Sequence, residues 1–593
     1  MSLEITLASG SAAALTALSN GTFLAAWNGA GNVPTVQIYN FDGTKRGGPI
    51  QLASGSTGEN LNFTATSLSD GRFVVVWQQK DAQDGVYARV FDVNGTPTGD
   101  AFKIASGATA QILPQVTALE DGGFIVMSIN DGTATSVKVA ANGSQGTPHA
   151  VQANALSIGL ATLQSGDLIT FIDTGGPGDY DMMGHVLAPD GVPYSSDKMF
   201  SDIPDEPLSP HVAGVSNGGF ILVWDGVDAS GDAIVIHRFL STGAYSGEGA
   251  TFAGSAGQTF DSPVIKALPG GGFVLAYTRG TSGGKDVYAG VTHANSTVAL
   301  ITETVGYDYT IGDQSSPEIT ILNDGRYVVS WLNTVDGITE TRAEIFDPRS
   351  AAVNWTGSAF HEQYHGTVYD DTLSGGGDDL IVGNSGTDTL NGGSGQDTLK
   401  GGDDSDTYYI DSADDRVVES SGEGVDRVYS GVSHTLASYV EQLYASGSGS
   451  INLTGNTLGN TLFGNSGANK INGGAGKDVL KGGTGKDTFI FSTKLSSSNL
   501  DKILDFSVKY DTIWLDNAIF KKLGSGSEAS PKKLNKNFVT FGSKAKDKND
   551  YLVYDKTKGY LYYDADGSGS GKAALIATLP KSLTMTYSDF YVI

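Results

Sequence analysis

Aspartate recurs at a fixed distance from paired glycines in the second half of the chain. The segments GNSGTDTLN (383–391), GGSGQDTLK (392–400) and GGDDSDTYY (401–409) keep one nine-residue register. A second block reads GNTLGNTLF (455–463), GNSGANKIN (464–472), GGAGKDVLK (473–481) and GGTGKDTFI (482–490). An acid or its amide stands sixth in each segment and a hydrophobic residue eighth. The chemistry open to this pattern is coordination of a hard cation by oxygen. Early glycines permit a turn whose backbone carbonyls face inward, the sixth residue adds a carboxylate, and the eighth sits on a short strand that stacks into a narrow core. Composition agrees: 65 acidic residues against 37 basic ones give a formal charge of -28. That balance suits a binder of many divalent ions and argues against a nucleic-acid partner, which needs a basic face.

The register resembles the Gly-Gly-x-Gly-x-Asp-x-hydrophobic-x repeat of RTX (repeats-in-toxin), hemolysin-type calcium-binding proteins. The resemblance implies a parallel β-roll with Ca2+ ions lying between adjacent turns and shared by them. The carboxylates it implies are Asp371, Asp379, Asp388, Asp397, Asp406, Asp478 and Asp487. The turn positions it implies as further metal-binding residues are Gly383, Ser385, Gly392, Ser394, Gly401, Asp403, Gly473, Ala475, Gly482 and Thr484. Asn460 and Asn469 hold the register with an uncharged amide, so weaker or absent sites are expected there. The core stack would be Leu373, Ile381, Leu390, Leu399, Leu462, Ile471, Leu480 and Phe489. Between the blocks, strand-like runs such as TYYIDSADDRVVE (407–419) should extend the roll without full calcium motifs.

Residues 492–593 resemble the terminal module of proteins exported by type I secretion, through LDKILDFSVKYDTIWLDNAIF (500–520), YLVYDKTKGYLYYDADGSGSG (551–571) and SDFYVI (588–593). That resemblance implies an uncleaved C-terminal signal, the type I secretion machinery as partner, and an extracellular or cell-surface location. It accounts for an N-terminal stretch, MSLEITLASG, with neither a basic nor an apolar region of a signal peptide. No run of about 18 apolar residues predicts a membrane-spanning helix. Within the module, Asp564, Asp566, Ser568 and Gly569 fit positions one, three, five and six of an EF-hand loop, but Leu575 stands where the bidentate Glu belongs. The alternative there is a polar hairpin turn. The lysines of PKKLNKNF (531–538) and SKAKDKND (543–550) form a basic island that is either a solvated face or a site for anionic cell-surface polysaccharide. The chain has no Cys, so no disulfide scaffold can staple any part of it.

Two catalytic signatures fail on context. HEQYH (361–365) spells the zinc-protease pattern, which needs a helix to bring both His residues to one face; the roll register begins directly after it. The extended form of that motif would need Gly and His where Val368 and Asp371 stand. GVSNG (214–218) spells a nucleophile elbow, which needs a strand-turn-helix setting, yet its Ser falls in a hairpin turn. No triad, paired acids or phosphate loop is found.

The elements in front of the roll are a repeat of another kind. A Gly-containing turn followed by an apolar run recurs as NGTFLAAW (20–27), DGRFVVVW (70–77), DGGFIVMS (121–128), SGDLITFI (165–172), NGGFILVW (217–224), GGGFVLAY (270–277) and DGRYVVSW (324–331). Its lead residues, Phe23, Phe73, Phe124, Leu168, Phe220, Phe273 and Tyr327, lie 44 to 54 residues apart. Each unit continues with an alternating third strand, as in VYARVF (86–91), and a short fourth, as in AFKIAS (101–106). Four strands per unit at this period predict propeller blades. EITLAS (4–9) matches the fourth strands but has no first three before it, so it is expected to complete the seventh blade.

The expected fold class is all-β: a seven-bladed β-propeller over 1–355, a roll block over 366–410, a spacer over 411–452, a second block over 453–491 and a β-rich secretion module over 492–593. The expected function is that of a secreted calcium-binding protein in a surface layer, matrix or adhesion role, whose propeller binds a ligand or partner, with cell-surface polysaccharide or self-assembly as partners of the protein. The rival is a secreted hydrolase acting on polysaccharide or ester in the propeller channel. Side chains of the innermost strands would separate the two.

Overall fold

The computed structural model describes residues 3–593 apart from 10–12, 54–58, 81–83, 107–112, 175–181, 195–207, 217, 229–230, 242–243, 254–257, 270, 282, 294–300 and 305–311. The chain divides into two compact units, Met1–Arg349 and Ser350–Ile593.

The first unit is a seven-bladed propeller. Six antiparallel sheets have four strands and one has three, Ser157–Thr162, Leu168–Asp173 and Met182–Leu187. The stretch that would carry a fourth strand there, 195–207, lies outside the described residues. The apolar runs picked out by the repeat form the second strand of each blade, as in Phe73–Lys80, where seven of eight residues are buried. They are buried on both faces because each blade is sandwiched between two others. The apolar side chains accordingly fall into clusters that each join consecutive blades, one of them uniting Leu7, Phe23 and Tyr39 with Val328 and Ile345 across the last and first blades. Cross-strand aromatic pairs stack inside four blades: Phe23 on Tyr39, Phe73 on Phe91, Phe220 on Phe239 and Tyr327 on Phe346, with centroids 4.8 to 5.2 Å apart. The seventh blade is finished by the N-terminal strand, since Leu3–Ser9 pairs antiparallel with Ile338–Phe346, Leu3 opposite Ile345. Ser216 of the elbow-like motif lies in a turn where the Val215 N–H bonds to the Gly219 carbonyl and the Gly218 N–H to the Val215 carbonyl.

The second unit is a parallel β-solenoid. Alternate nonapeptides lie on opposite faces, so each coil takes two of them. Leu390 sits opposite Tyr408 on one face and Ile381 opposite Leu399 on the other. The ladder begins earlier than Gly366: Asn354–Thr356 pairs parallel with Thr372–Ser374, and Gln363–His365 with Leu380–Ser385. The first coil carries single glycines, Gly357 and Gly366, and no glycine pair, so the Gly-Gly register does not mark it. Its strands still bury apolar residues, with Trp355 stacked on Tyr364 at 4.2 Å. The HEQYH segment is therefore part of a coil and not of a helix. Its His361 Nδ1 meets the Asp378 carbonyl, while His365 Nδ1 lies 2.7 Å from the Asn384 amide.

All eight residues of the expected stack are fully buried, and the spacer adds Val417, Val428, Leu436, Leu443 and Ile451 to the same core. Beyond the second block the ladder continues into Asp501–Ile503 and Thr512–Leu515. Phe590–Val592 is inserted between Thr512–Leu515 and Lys532–Lys533. The lysine pair forms the sheet's last strand, where charge discourages edge-to-edge pairing.

Deleting residues 1–10 should strip one strand from the seventh blade and expose the cluster around Leu7. The propeller of the truncated protein is expected to melt below that of the parent in a thermal scan. Equal melting temperatures would show that the ring does not depend on this strand.

Candidate metal centre

One hydrogen-bond pattern runs through the solenoid. The Oδ1 atom of each repeat aspartate accepts the backbone N–H of the residue in the same register one coil earlier. Asp371 N–H reaches Asp388 at 2.7 Å, Asp379 reaches Asp397 at 2.8 Å, and Asp388 reaches Asp406 at 2.7 Å. In the second block the Asn460 N–H reaches Asp478 at 2.7 Å and the Asn469 N–H reaches Asp487 at 2.9 Å. These bonds pin each carboxylate between two coils and align it for the next.

The other oxygen is left over. Oδ2 of Asp388, Asp397, Asp406, Asp478 and Asp487 is buried and has no hydrogen-bond partner. Burial without a partner is costly for a charged group. The cost appears as raised carboxyl pKa values: about 7 for Asp388, 6 for Asp397, 8 for Asp406, 8 for Asp478 and 6 for Asp487. Burial is the first cause in each case, and neighbouring acidic side chains add to it.

What faces these oxygens is the first glycine of each repeat. A Cβ on Gly383 would collide with Asp388 Oδ2 and lie 2.7 Å from the carbonyl oxygen of Gly401, one coil on. Gly473 and Gly482 likewise crowd Asp478 and Asp487, and their own carbonyls lie against Gly455 and Gly464. A carboxylate oxygen and a carbonyl oxygen from the next coil thus converge on a space that only glycine leaves open. This donor set, all oxygen and net negative, fits Ca2+. Gly383, Gly392, Gly401, Gly473 and Gly482 are all buried. The third-position residues differ: Ser394, Asp403 and Thr484 are exposed, and Ser385 and Ala475 are half-buried. The Asp403 carboxylate, 3.4 Å from the Ser385 hydroxyl, thus sits on an exposed residue and not in the core of the roll.

Asp371 and Asp379 stand apart from the other five. Asp371 Oδ2 takes the Thr367 N–H at 2.5 Å, and Asp379 Oδ2 takes those of Gly376 and Gly377 at 2.9 and 3.3 Å. Both carboxylates are already supplied with donors from their own turn. Asn460 and Asn469 solve the same problem with an amide. Their Nδ2 atoms donate to the carbonyls of Val440 at 3.1 Å and Ile451 at 2.8 Å, so no charge is left to neutralise.

The ladder includes acids that the nonapeptide register does not mark. Asp415, Asp426, Asp501 and Asp511 accept the N–H groups of Asp397, Asp406, Asp478 and Asp487 at 2.9 to 3.1 Å. Asp426, Asp501 and Asp511 escape the register because the coil lengthens there to 20, 23 and 24 residues, whereas Asp415 keeps the 18-residue spacing but has no glycine pair before it. A shorter rule finds them: each is an Asp two residues before a buried hydrophobic, as Asp415 is before Val417 and Asp511 before Ile513.

The EF-like loop connects two antiparallel strands, Tyr560–Tyr563 and Ala574–Thr578, so no helix flanks it. Asp564 and Asp566 share a hydrogen bond, Asp566 also accepts the Gly571 N–H at 2.9 Å, and Asp564 Oδ1 is buried without a partner. Ser568 is exposed and its N–H bonds to the Asp547 carbonyl at 2.8 Å.

Residues 356–390, 382–417 and 454–489 match the RTX calcium-binding nonapeptide repeat family. No curated protein matches the chain. Among solved structures, it is similar to a protein of unknown function from Dyadobacter fermentans (13% identity, covering 58% of this chain and 98% of that one, TM-score 0.38). It is similar also to a PL25 ulvan lyase, a polysaccharide lyase (10%, 57% and 95%, TM-score 0.39), and to an endo-arabinase from Bacteroides thetaiotaomicron (12%, 41% and 96%, TM-score 0.29). At these TM-scores the likenesses carry no argument.

Two outcomes are expected. In the calcium-free folded state these carboxyls hold protons up to pH 6 to 8, whereas an unfolded Asp releases its proton near pH 3.9. The folded state binds more protons across that window, so its stability falls as pH rises through it. Without calcium the roll should melt at a higher temperature at pH 5 than at pH 8, and saturating calcium should abolish or invert that order, because the ion displaces the protons. Second, Asp397→Asn should remove a buried charge as Asn469 does. The variant is expected to bind fewer calcium ions in equilibrium dialysis and to melt higher than the parent in chelator.

Proposed function

We propose that the chain is a secreted protein whose roll completes its folding when it meets calcium outside the cell, and whose propeller presents a binding face in a surface-layer, matrix or adhesion role. The observation that carries the calcium-dependent step is the set of buried, unpartnered aspartate oxygens between coils. Inside a cell, free calcium is too scarce to fill sites of extracellular affinity, roughly 10⁻⁴ to 10⁻³ M. Outside, each site at a hundredfold excess over its dissociation constant stabilises the folded state by about 2.7 kcal/mol. An acidic chain that stays open in the cytoplasm and closes outside suits export through a type I channel. Among the described residues no helix is long and apolar enough to cross a membrane.

A binding role for the propeller, rather than two-carboxylate hydrolysis of a glycoside, is supported by its innermost strands. In equivalent positions they offer Ala14, Thr64, Gln115, Gly159, His211, Val264 and Glu318, and one turn of the pleat further Thr16, Thr66, Thr117, Ala161, Ala213, Lys266 and Thr320. Small residues and threonine dominate, and the titratable exceptions are His211, Glu318 and Lys266, whose charge acts on both of the others. Glu318 is a single carboxyl, pushed up to about 7 by burial, where acid-base hydrolysis of a glycoside calls for two. The exposed lysines at 532, 533, 536, 544, 546 and 548 suit an anionic polysaccharide.

The export reading is tested by deleting residues 492–593 in a cell that carries a type I exporter. The truncated chain should remain inside, while the full chain reaches the medium. Equal amounts of both in the medium would place the export signal elsewhere.

A further inference from the structure

The first block ends in a group of three acids of which the nonapeptide pattern generates one, Asp406. Asp406 precedes the strand Thr407–Ile410, Asp426 precedes Arg427–Ser430 directly beside it, and Glu419 follows Arg416–Val418 in the return segment. All three are buried, and one carboxylate oxygen from each lies within 4.8 Å of the others. Among the described residues no lysine or arginine forms an ion pair with any of them.

Their known bonds fix the side chains without exhausting them. Asp426 Oδ1 accepts the Asp406 N–H at 2.9 Å. Glu419 Oε1 accepts the Tyr408 hydroxyl, whose own oxygen accepts the Gly401 N–H at 2.7 Å. Asp406 Oδ2 and Glu419 Oε2 are left buried with no partner, at residue exposures of 1% and 9%. Gly401 makes the space: a Cβ there would overlap both Asp406 Oδ2 and the Tyr408 hydroxyl.

We propose that Asp406, Glu419 and Asp426 form a divalent-cation site of their own, a three-carboxylate Ca2+ site that closes the first block and ties the irregular coil to it. It rests on the calcium reading of the roll and adds a ligand, Glu419, from outside the repeats. The donors are all oxygen, which selects a hard cation. Ca2+–oxygen distances of about 2.3 to 2.6 Å allow ligand atoms up to about 5 Å apart, which accommodates the cluster. Affinity at oxygen sites rises with the number of charged ligands. Three carboxylates outnumber the one repeat aspartate and turn carbonyls that converge at Gly383, so this site fills first as calcium rises.

The test is calcium binding by the full chain, followed by equilibrium dialysis and by titration against circular dichroism. Glu419→Gln should bind one ion fewer than the parent and lose the step at lowest calcium. Asp478→Asn in the second block should leave that first step in place. Glu419→Asp keeps the charge on a shorter arm and should keep the ion with weaker affinity, which separates loss of a ligand from failure to fold. If Glu419→Gln binds as many ions as the parent with the same first step, the cluster holds its charge by sharing protons and the proposal is overturned. If the parent itself binds no calcium, the reading of the whole roll falls with it.

Discussion

A buried carboxylate with one oxygen tied down and the other unmet is the condition on which the second half of this molecule rests. The Oδ1 bonds fix each aspartate between coils, so the side chain cannot swing out to water when its charge is unbalanced. The solenoid therefore stacks like charges in a column, and only protons or cations relieve them. Glycine follows from the same demand. At Gly383 and Gly401 no other residue leaves the oxygens room to converge. The narrow core of Leu, Ile and Phe supplies apolar burial, but it is coupled coil by coil to the acids beside it.

The propeller answers to a different constraint. Its second strands are apolar on both faces, and its blades stabilise one another chiefly by ordinary packing, with buried carboxyls as isolated cases such as Asp225 and Glu318 rather than a column. The two units thus rest on different balances: one mainly on apolar burial, the other on how its column of buried carboxyls is neutralised as well. Asn460 and Asn469 show that the solenoid can be built without charge where an amide replaces the acid. Retaining aspartate at the remaining positions makes the fold conditional.

Much of this was legible in the residues. The nine-residue register named the core stack, and each of its members is fully buried. The seven turn-and-apolar runs named the blades, and the resemblance of EITLAS to fourth strands anticipated the strand that completes the last one. The register failed where coil length changes. Asp426, Asp501 and Asp511 lie beyond enlarged turns, and Glu419 follows its strand where the repeat aspartates precede theirs, so only the folded coils bring it to Asp406. The Gly-Gly register leaves out the first coil for the opposite reason, because it has the strands of the roll with single glycines, Gly357 and Gly366, in place of the pairs. Nor could spacing tell that Asp371 and Asp379 are satisfied by their own turns, since that depends on which N–H groups the local backbone aims inward.

The strand Leu3–Ser9 has a mechanical consequence. The polypeptide leaves the propeller just after Ile338–Phe346, and this strand is hydrogen-bonded on both sides, to Tyr327–Val335 and to Leu3–Ser9. Without the N-terminal strand it would lie at a sheet edge, and a pull on the segment beyond it would unzip its bonds one after another. With that strand in place, the same pull has to shear two ladders at once. The strand from which the chain leaves the ring is thus held on both sides, as an interior strand of a blade is.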